Sequence, residues 1–133
     1  MTKETLKQYQ RLRLERDGIL NVIRELEAAM EAPKIQKLTG MPSSGGNGSA
    51  LETMVQKHIE LQRRYLDKLA EMDKLQGEIE DAIESLEGNQ RTLMRLRYLQ
   101  GMRWEDICVS MHYSGKHIHR IHAAALRRIQ TED

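Results

Sequence analysis

Residues 117–122 read HIHRIH, three imidazoles within six residues, interleaved with Ile118, Arg120 and Ile121. Such a run could bind a metal, handle protons, or read another molecule at an exposed edge. Helical geometry decides among these. On a helix His117 and His119 point roughly 200° apart, and only His119 and His122 share an edge. No Asp, Glu or Cys lies one turn away to complete a site, and zinc normally takes three or four such ligands. No metal and no cofactor are therefore expected. The one cysteine, Cys108, excludes an intrachain disulfide and reads as packing rather than as a nucleophile. Glu105 and Asp106 fit the electropositive first turn of a helix better than a catalytic pair with His112. No catalytic residue is expected, and the chain is read as not being an enzyme.

The charge around the histidines is uneven. Residues 1–88 hold 13 Lys/Arg against 16 Asp/Glu, whereas residues 89–130 hold 8 against 2. A sign switch of this kind suggests two parts with different partners, the basic one suited to a polyanion. Around a helix through HIHRIH, Ile118, Ile121, Ala125 and Ile129 form one face, with His122 and Leu126 beside them. Lys116, Arg120, Ala123 and Arg127 form the other, flanked by His119 and Ala124. His117 and Arg128 sit further round. The basic face suits double-stranded DNA. Lys and Arg reach phosphates and guanine edges, His119 can donate or accept at a base edge, and the alanine methyls leave room in a groove and can touch thymine.

Short helices must position that face. Gly88-Asn89 breaks the preceding pattern, Asn89 is expected as the N-cap of QRTLMRLRYLQ, and Gly101 as its stop. WEDICVSM follows from Trp104. His112-Tyr113-Ser114 makes a tight turn, and Ser114 caps GKHIHRIHAAALRRIQ. Two helices joined by so few residues have the layout of a helix-turn-helix. Leu93, Leu96, Leu99, Trp104, Ile107 and Met111 are its expected core.

Residues 3–32 carry apolar residues at Tyr9, Leu12, Ile19, Ile23, Leu26 and Met30, with Arg16 in the gap. This alternation of threes and fours marks a coiled-coil-like seam, and Pro33 is expected to end the helix. The stretch TGMPSSGGNGS, residues 39–49, reads as a flexible loop. It lacks the ending and preceding strand of a phosphate loop. A second helix is expected over 50–86, with its seam through Leu51, Val55, His58, Gln62, Tyr65, Leu69, Met72, Gln76, Ile79, Ile83 and Leu86. Neither helix can bury its stripe alone. They must pair with each other, with another copy, or with both, and an antiparallel hairpin across the loop is favoured. No apolar run reaches the roughly 20 residues that span a bilayer. With no secretory signal at the start, a cytoplasmic location is expected.

The segment RTLMRLRYLQGMRWEDICVSMHYSGKHIHRIHAAALRRI resembles region 4 of bacterial sigma factors. The resemblance is carried by Leu93 to Tyr98, Gly101, Glu105 to Ile107, and Arg120 to Ile129. Most of the chain is also similar to small phage-encoded, sigma-like transcription regulators. The resemblance implies that Lys116, His119 and Arg120 face bases, joined in the geometric reading by Ala123. It also implies that Arg95, Arg97 and Arg127 meet phosphates, with His117 at the phosphate flank. Gly115, Ala124 and Arg103 depart from the family pattern, which points to a target other than the consensus −35 hexamer. No segment matches the part of a sigma factor that melts DNA.

The expectation is therefore an all-α protein in two parts. Residues 1–88 form a long antiparallel helical hairpin with a flexible loop at 39–49, and residues 89–133 form a helix-turn-helix. The expected partners are double-stranded DNA, RNA polymerase, and a second copy through the N-terminal helices, without a membrane. Two alternatives stay open: a small-terminase-like phage DNA-packaging protein, and an RNA polymerase adaptor that does not touch DNA.

Overall fold

The computed structural model describes residues 1–38 and 47–130, with side chains over 1–31 and 49–130. Every element among them is helical. Helix α1 spans Lys3–Leu38, α2 spans Asn47–Glu84, and α3 spans Gly88–Met94 before continuing as a π-helical segment, Arg95–Leu99. Helices α4, Trp104–Met111, and α5, Gly115–Gln130, complete the chain. Of the expected loop, 39–46 lies outside the described residues and 47–49 is already helical.

The chain divides into two compact units: Met1–Arg13 with Glu71–Asp133, and Leu14–Ala70. The boundary drawn at residue 88 is not where the contacts divide. The reason is apolar packing at the start of α1 and the end of α2. Leu6, Tyr9 and Leu12 of α1, and Met72, Ile79 and Ile83 of α2, are buried in one cluster with Leu86, Leu93, Met94, Tyr98, Ile107, Ile118, Ala125 and Ile129. Fully burying one such side chain contributes about 1.5–3 kcal/mol. The helix-turn-helix therefore shares its core with the ends of α1 and α2.

In the second unit the two long helices pair antiparallel. Glu15 meets Lys68 at 2.7 Å and Glu27 meets His58 at 3.1 Å, so the residue numbers rise along α1 as they fall along α2. The α1 stripe is as expected: Ile23 is buried, and Arg16, Ile19, Leu26 and Met30 are half-buried. The α2 seam is as expected from Tyr65 to Ile83 and differs at its start. Leu61 is only 7% exposed, whereas Leu51 and Val55 are 42% and 39% exposed. Gln62 is exposed as well and Met54 is half-buried instead, whereas His58 is half-buried as expected. A strict seven-residue repeat drifts about 20° per heptad on a straight helix. Four heptads separate Val55 from Ile83, which turns the stripe by about 80°.

Two ends also differ from expectation. Pro33 does not stop α1, which continues to Leu38. The missing proline N–H frees the carbonyl of Ala29, and Ala29 is exposed, so water can satisfy it. Asn89 is not the N-cap of α3. Glu87 occupies that position with extended backbone, followed by Gly88 at φ +50°. The turn is closed by Arg91, which donates from Nε to the Leu86 carbonyl and from Nη2 to the Glu84 carbonyl, both at 3.0 Å. The Glu84 carbonyl is one that the end of α2 leaves without a helical partner, and the Leu86 carbonyl lies in the turn that follows.

Candidate nucleic-acid interface

Local chemistry fixes each turn of the helix-turn-helix. The π-helical segment closes with Gln100 N–H donating to the Arg95 carbonyl and Met102 N–H to the Leu96 carbonyl, each at 3.0 Å. Gly101, at φ +71°, makes that reversal. Its missing side chain also leaves space for the Arg13 guanidinium, with which a Cβ would collide. Arg13 Nη2 donates to the carbonyls of Tyr98 and Leu99 at 3.2 and 2.5 Å. Glu105 and Asp106 stand in the first turn of α4, and Arg103 reaches Asp106 at 3.3 Å. His112 turns the chain in the left-handed region, at φ 60° and ψ 38°. Ser114 Oγ then accepts from the His117 N–H at 3.2 Å, and the Ser114 carbonyl accepts from Ile118 at 2.9 Å. That is the N-cap read from the sequence.

Helix α5 is divided as its spacing predicts. Ile118, Ala125 and Ile129 are buried, and Ile121, His122 and Leu126 are half-buried. Lys116, His117, His119, Arg120, Ala123 and Arg127 are all exposed. The three histidines of HIHRIH differ in their surroundings, with His119 and His122 sharing Trp104. The His117 ring packs on Tyr113 with centroids 4.3 Å apart, and His119 on Trp104 at 5.4 Å. His122 sits edge-on to Trp104 at 4.8 Å and stacks on Tyr98. No group of three or more His, Cys, Asp or Glu able to hold a metal occurs among the described residues.

His122 and Tyr98 form a neutral pair, with a hydrogen bond between the phenol oxygen and Nε2 at 2.7 Å. Burial lowers the His122 pKa to about 4, and the positive charges of Arg97, His119 and Lys3 add to that effect. Burial likewise raises the Tyr98 pKa, opposed by Arg97. Both shifts keep the pair uncharged, so this imidazole holds α5 against the π-helical segment.

The residues expected at phosphates are placed unequally. Arg127 and His117 are exposed. Arg95 is half-buried and ion-paired with Glu84. Arg97 turns inward, its guanidinium 4.4 Å from the Trp104 ring centroid and its Nη1 donating to the Met102 carbonyl at 3.0 Å. The short loop at Gly101 leaves a carbonyl there, and an arginine one turn away fills it. Sequence reading missed Arg13, Lys3 and the Tyr98–Trp104–His122 cluster. Arg13 lies 85 and 86 residues from its partners, so no local spacing signals it.

Residues 82–131 match the family model described as Sigma-70, region 4, well under half of the 133-residue chain. The match spans the end of α2, α3, the π-helical segment, α4 and α5. That C-terminal part is a sigma-type, DNA-binding helix-turn-helix. Comparisons with curated proteins and with solved structures returned no match.

Proposed function

With residues 82–131 as a sigma-70 region 4 unit, we propose that the protein is a sequence-specific, non-enzymatic transcription regulator of phage or prophage type, acting in the cytoplasm. Helix α5 enters the major groove. Lys116, His119, Arg120 and Ala123 read base edges, while Arg127 and His117 contact phosphates. The observation that carries this reading is the exposed face of α5 on which Lys116, His119, Arg120, Ala123 and Arg127 lie, opposite the buried Ile118, Ala125 and Ile129. Arg97 takes a supporting role in place of a phosphate contact, because its guanidinium is already held by Trp104 and Met102.

The test is duplex binding by the full chain between about 50 and about 200 mM salt. Each phosphate contact adds about 0.9 to the slope of log K against log salt. Lys116→Ala with Arg120→Ala should weaken binding by at least tenfold, since a good base contact is worth about 1–3 kcal/mol. No measurable affinity at the low salt, with no effect of the double variant, would instead make the protein an adaptor that touches RNA polymerase alone.

The hairpin unit is proposed to hold a second copy. Besides its seam, α2 exposes Leu51, Val55, Ile59 and Leu66, the last at 63%. Separated by spacings close to whole turns, they form a second apolar stripe that one hairpin leaves uncovered. A dimer by sedimentation supports this, whereas a ring of eight or more would favour a packaging protein.

A further inference from the structure

We infer that the first turn of α1 belongs to the DNA-contacting surface, with Lys3 as a phosphate contact beside α5. This rests on the DNA-binding reading above and extends it to a segment more than a hundred residues away in sequence. The matched family segment begins only at residue 82, so it does not contain Lys3.

The start of α1 is fixed against the helix-turn-helix at two places. Met1 packs against, and Leu6 is buried within, the core that also contains Ile107, Ile118, Ala125 and Ile129. Two turns further on, Arg13 donates to the Tyr98 and Leu99 carbonyls and fills the space left by Gly101. Between those anchors the helix has no freedom to swing, so its exposed side chains have defined positions relative to α5. Lys3 is one of them. The adjacent acid, Glu4, is engaged with Lys7 at 3.8 Å.

The charge environment is the second observation. The groups that act electrostatically on His122 are Arg97, Lys3 and, when protonated, His119, on three different elements. Of these, Arg97 is committed to Trp104 and Met102, whereas His119 and Lys3 are exposed. Positive charge from Arg97 and Lys3 on one flank of α5 favours a polyanion lying across it. A duplex whose groove receives His119 and Arg120 runs its backbone past the flank of α5. An ammonium fixed on that flank neutralises a phosphate without carrying sequence information.

The experiment measures fluorescence anisotropy of a labelled random duplex with the full chain from about 50 to about 200 mM salt. Wild type is compared with Lys3→Ala, Lys3→Arg, Lys57→Ala and the Lys116→Ala/Arg120→Ala pair. Lys3→Ala should lower the salt slope by about 0.9 and weaken binding severalfold. Lys3→Arg should restore both, and Lys57→Ala, on the exposed surface of the other unit, should change neither. Unchanged slope and affinity in Lys3→Ala, alongside a loss in the Lys116/Arg120 pair, overturn the inference and leave the DNA-binding reading standing. An equal slope change in Lys57→Ala also overturns it, since net charge alone would then explain the effect. Absence of duplex binding by wild type removes both.

Discussion

Acidification should destabilise the C-terminal unit through His122, and the size of the effect follows from its surroundings. In the unfolded chain an imidazole titrates near 6.5, whereas the fold lowers the His122 value to about 4. Below the first value the unfolded chain binds a proton that the folded chain does not, so stability falls as pH drops from 6.5 toward 4. Above 6.5 neither state is protonated and the contribution is fully present. The groups facing His122 are Tyr98, Trp104, Arg97, His119 and Lys3, none of which is an acid that would hold the proton. Full linkage between about pH 7 and about pH 5 gives about 1.8 kcal/mol. His122 is only half-buried, and solvent screening reduces this to about 1 kcal/mol. Urea unfolding followed by circular dichroism at both pH values measures it. His122→Phe keeps a ring against Tyr98 and Trp104 but cannot titrate, so its stability should change less by about 1 kcal/mol over the same interval. Identical pH dependence in the two proteins would refute the reasoning, because His122 would then be equally protonated in the folded and unfolded chains.

Other perturbations test the parts that position the interface. Arg13→Ala removes charged hydrogen bonds to two helix-terminal carbonyls and should cost about 2 kcal/mol in urea unfolding. Ser114→Ala removes the α5 N-cap and should cost about 1 kcal/mol, with Ser114→Asp retaining most of the stability. A fragment of residues 82–133 lacks Leu6, Tyr9, Leu12, Met72 and Ile79 from its core, about 10 kcal/mol of burial by side-chain averages. It should give no cooperative thermal melt, and a melt at the full-length midpoint would contradict the shared core.

Periodicity made much of this fold legible. The α1 stripe from Tyr9 to Met30, the turn at Gly101, the start of α4 at Trp104 and the Ser114 cap all depend on residues close in sequence, where spacing and backbone chemistry are direct evidence. The division of α5 into a buried Ile118–Ala125–Ile129 face and an exposed Lys116–Arg120–Ala123–Arg127 face was legible for the same reason. The α2 seam was legible from Tyr65 to Ile83 but not at its start. A heptad pattern can be written through Leu51, Val55 and Gln62, but a straight helix turns that pattern away from Ile79 and Ile83 over four heptads. The environments of Arg95 and Arg97 were hidden because an arginine's placement depends on which carbonyls, acids and rings the fold brings near it. Glu84, Met102 and Trp104 become those partners only once the chain has turned at Gly88 and Gly101.

The extent of the cooperative core bears on how DNA recognition is built. The sigma-type match begins at residue 82, yet Ile79 is as fully buried as Ile83, and Leu6 is almost as buried. Region 4 chemistry is thus mounted on a core completed by both ends of the helical hairpin. Arg13 shows what this adds beyond burial. It satisfies carbonyls at the end of the π-helical segment, immediately before the turn that sets the direction of α4, and the space it needs is available only because residue 101 is glycine. Helix α4 in turn presents Trp104 to His119 and His122. Contacts of Arg13 at Tyr98, Leu99 and Gly101, three residues of backbone on to Trp104, and the Trp104–His119 ring contact therefore lead from α1 to a side chain on the exposed edge of α5. Changes at Arg13 should consequently alter DNA affinity as well as stability, even though Arg13 itself faces the protein interior.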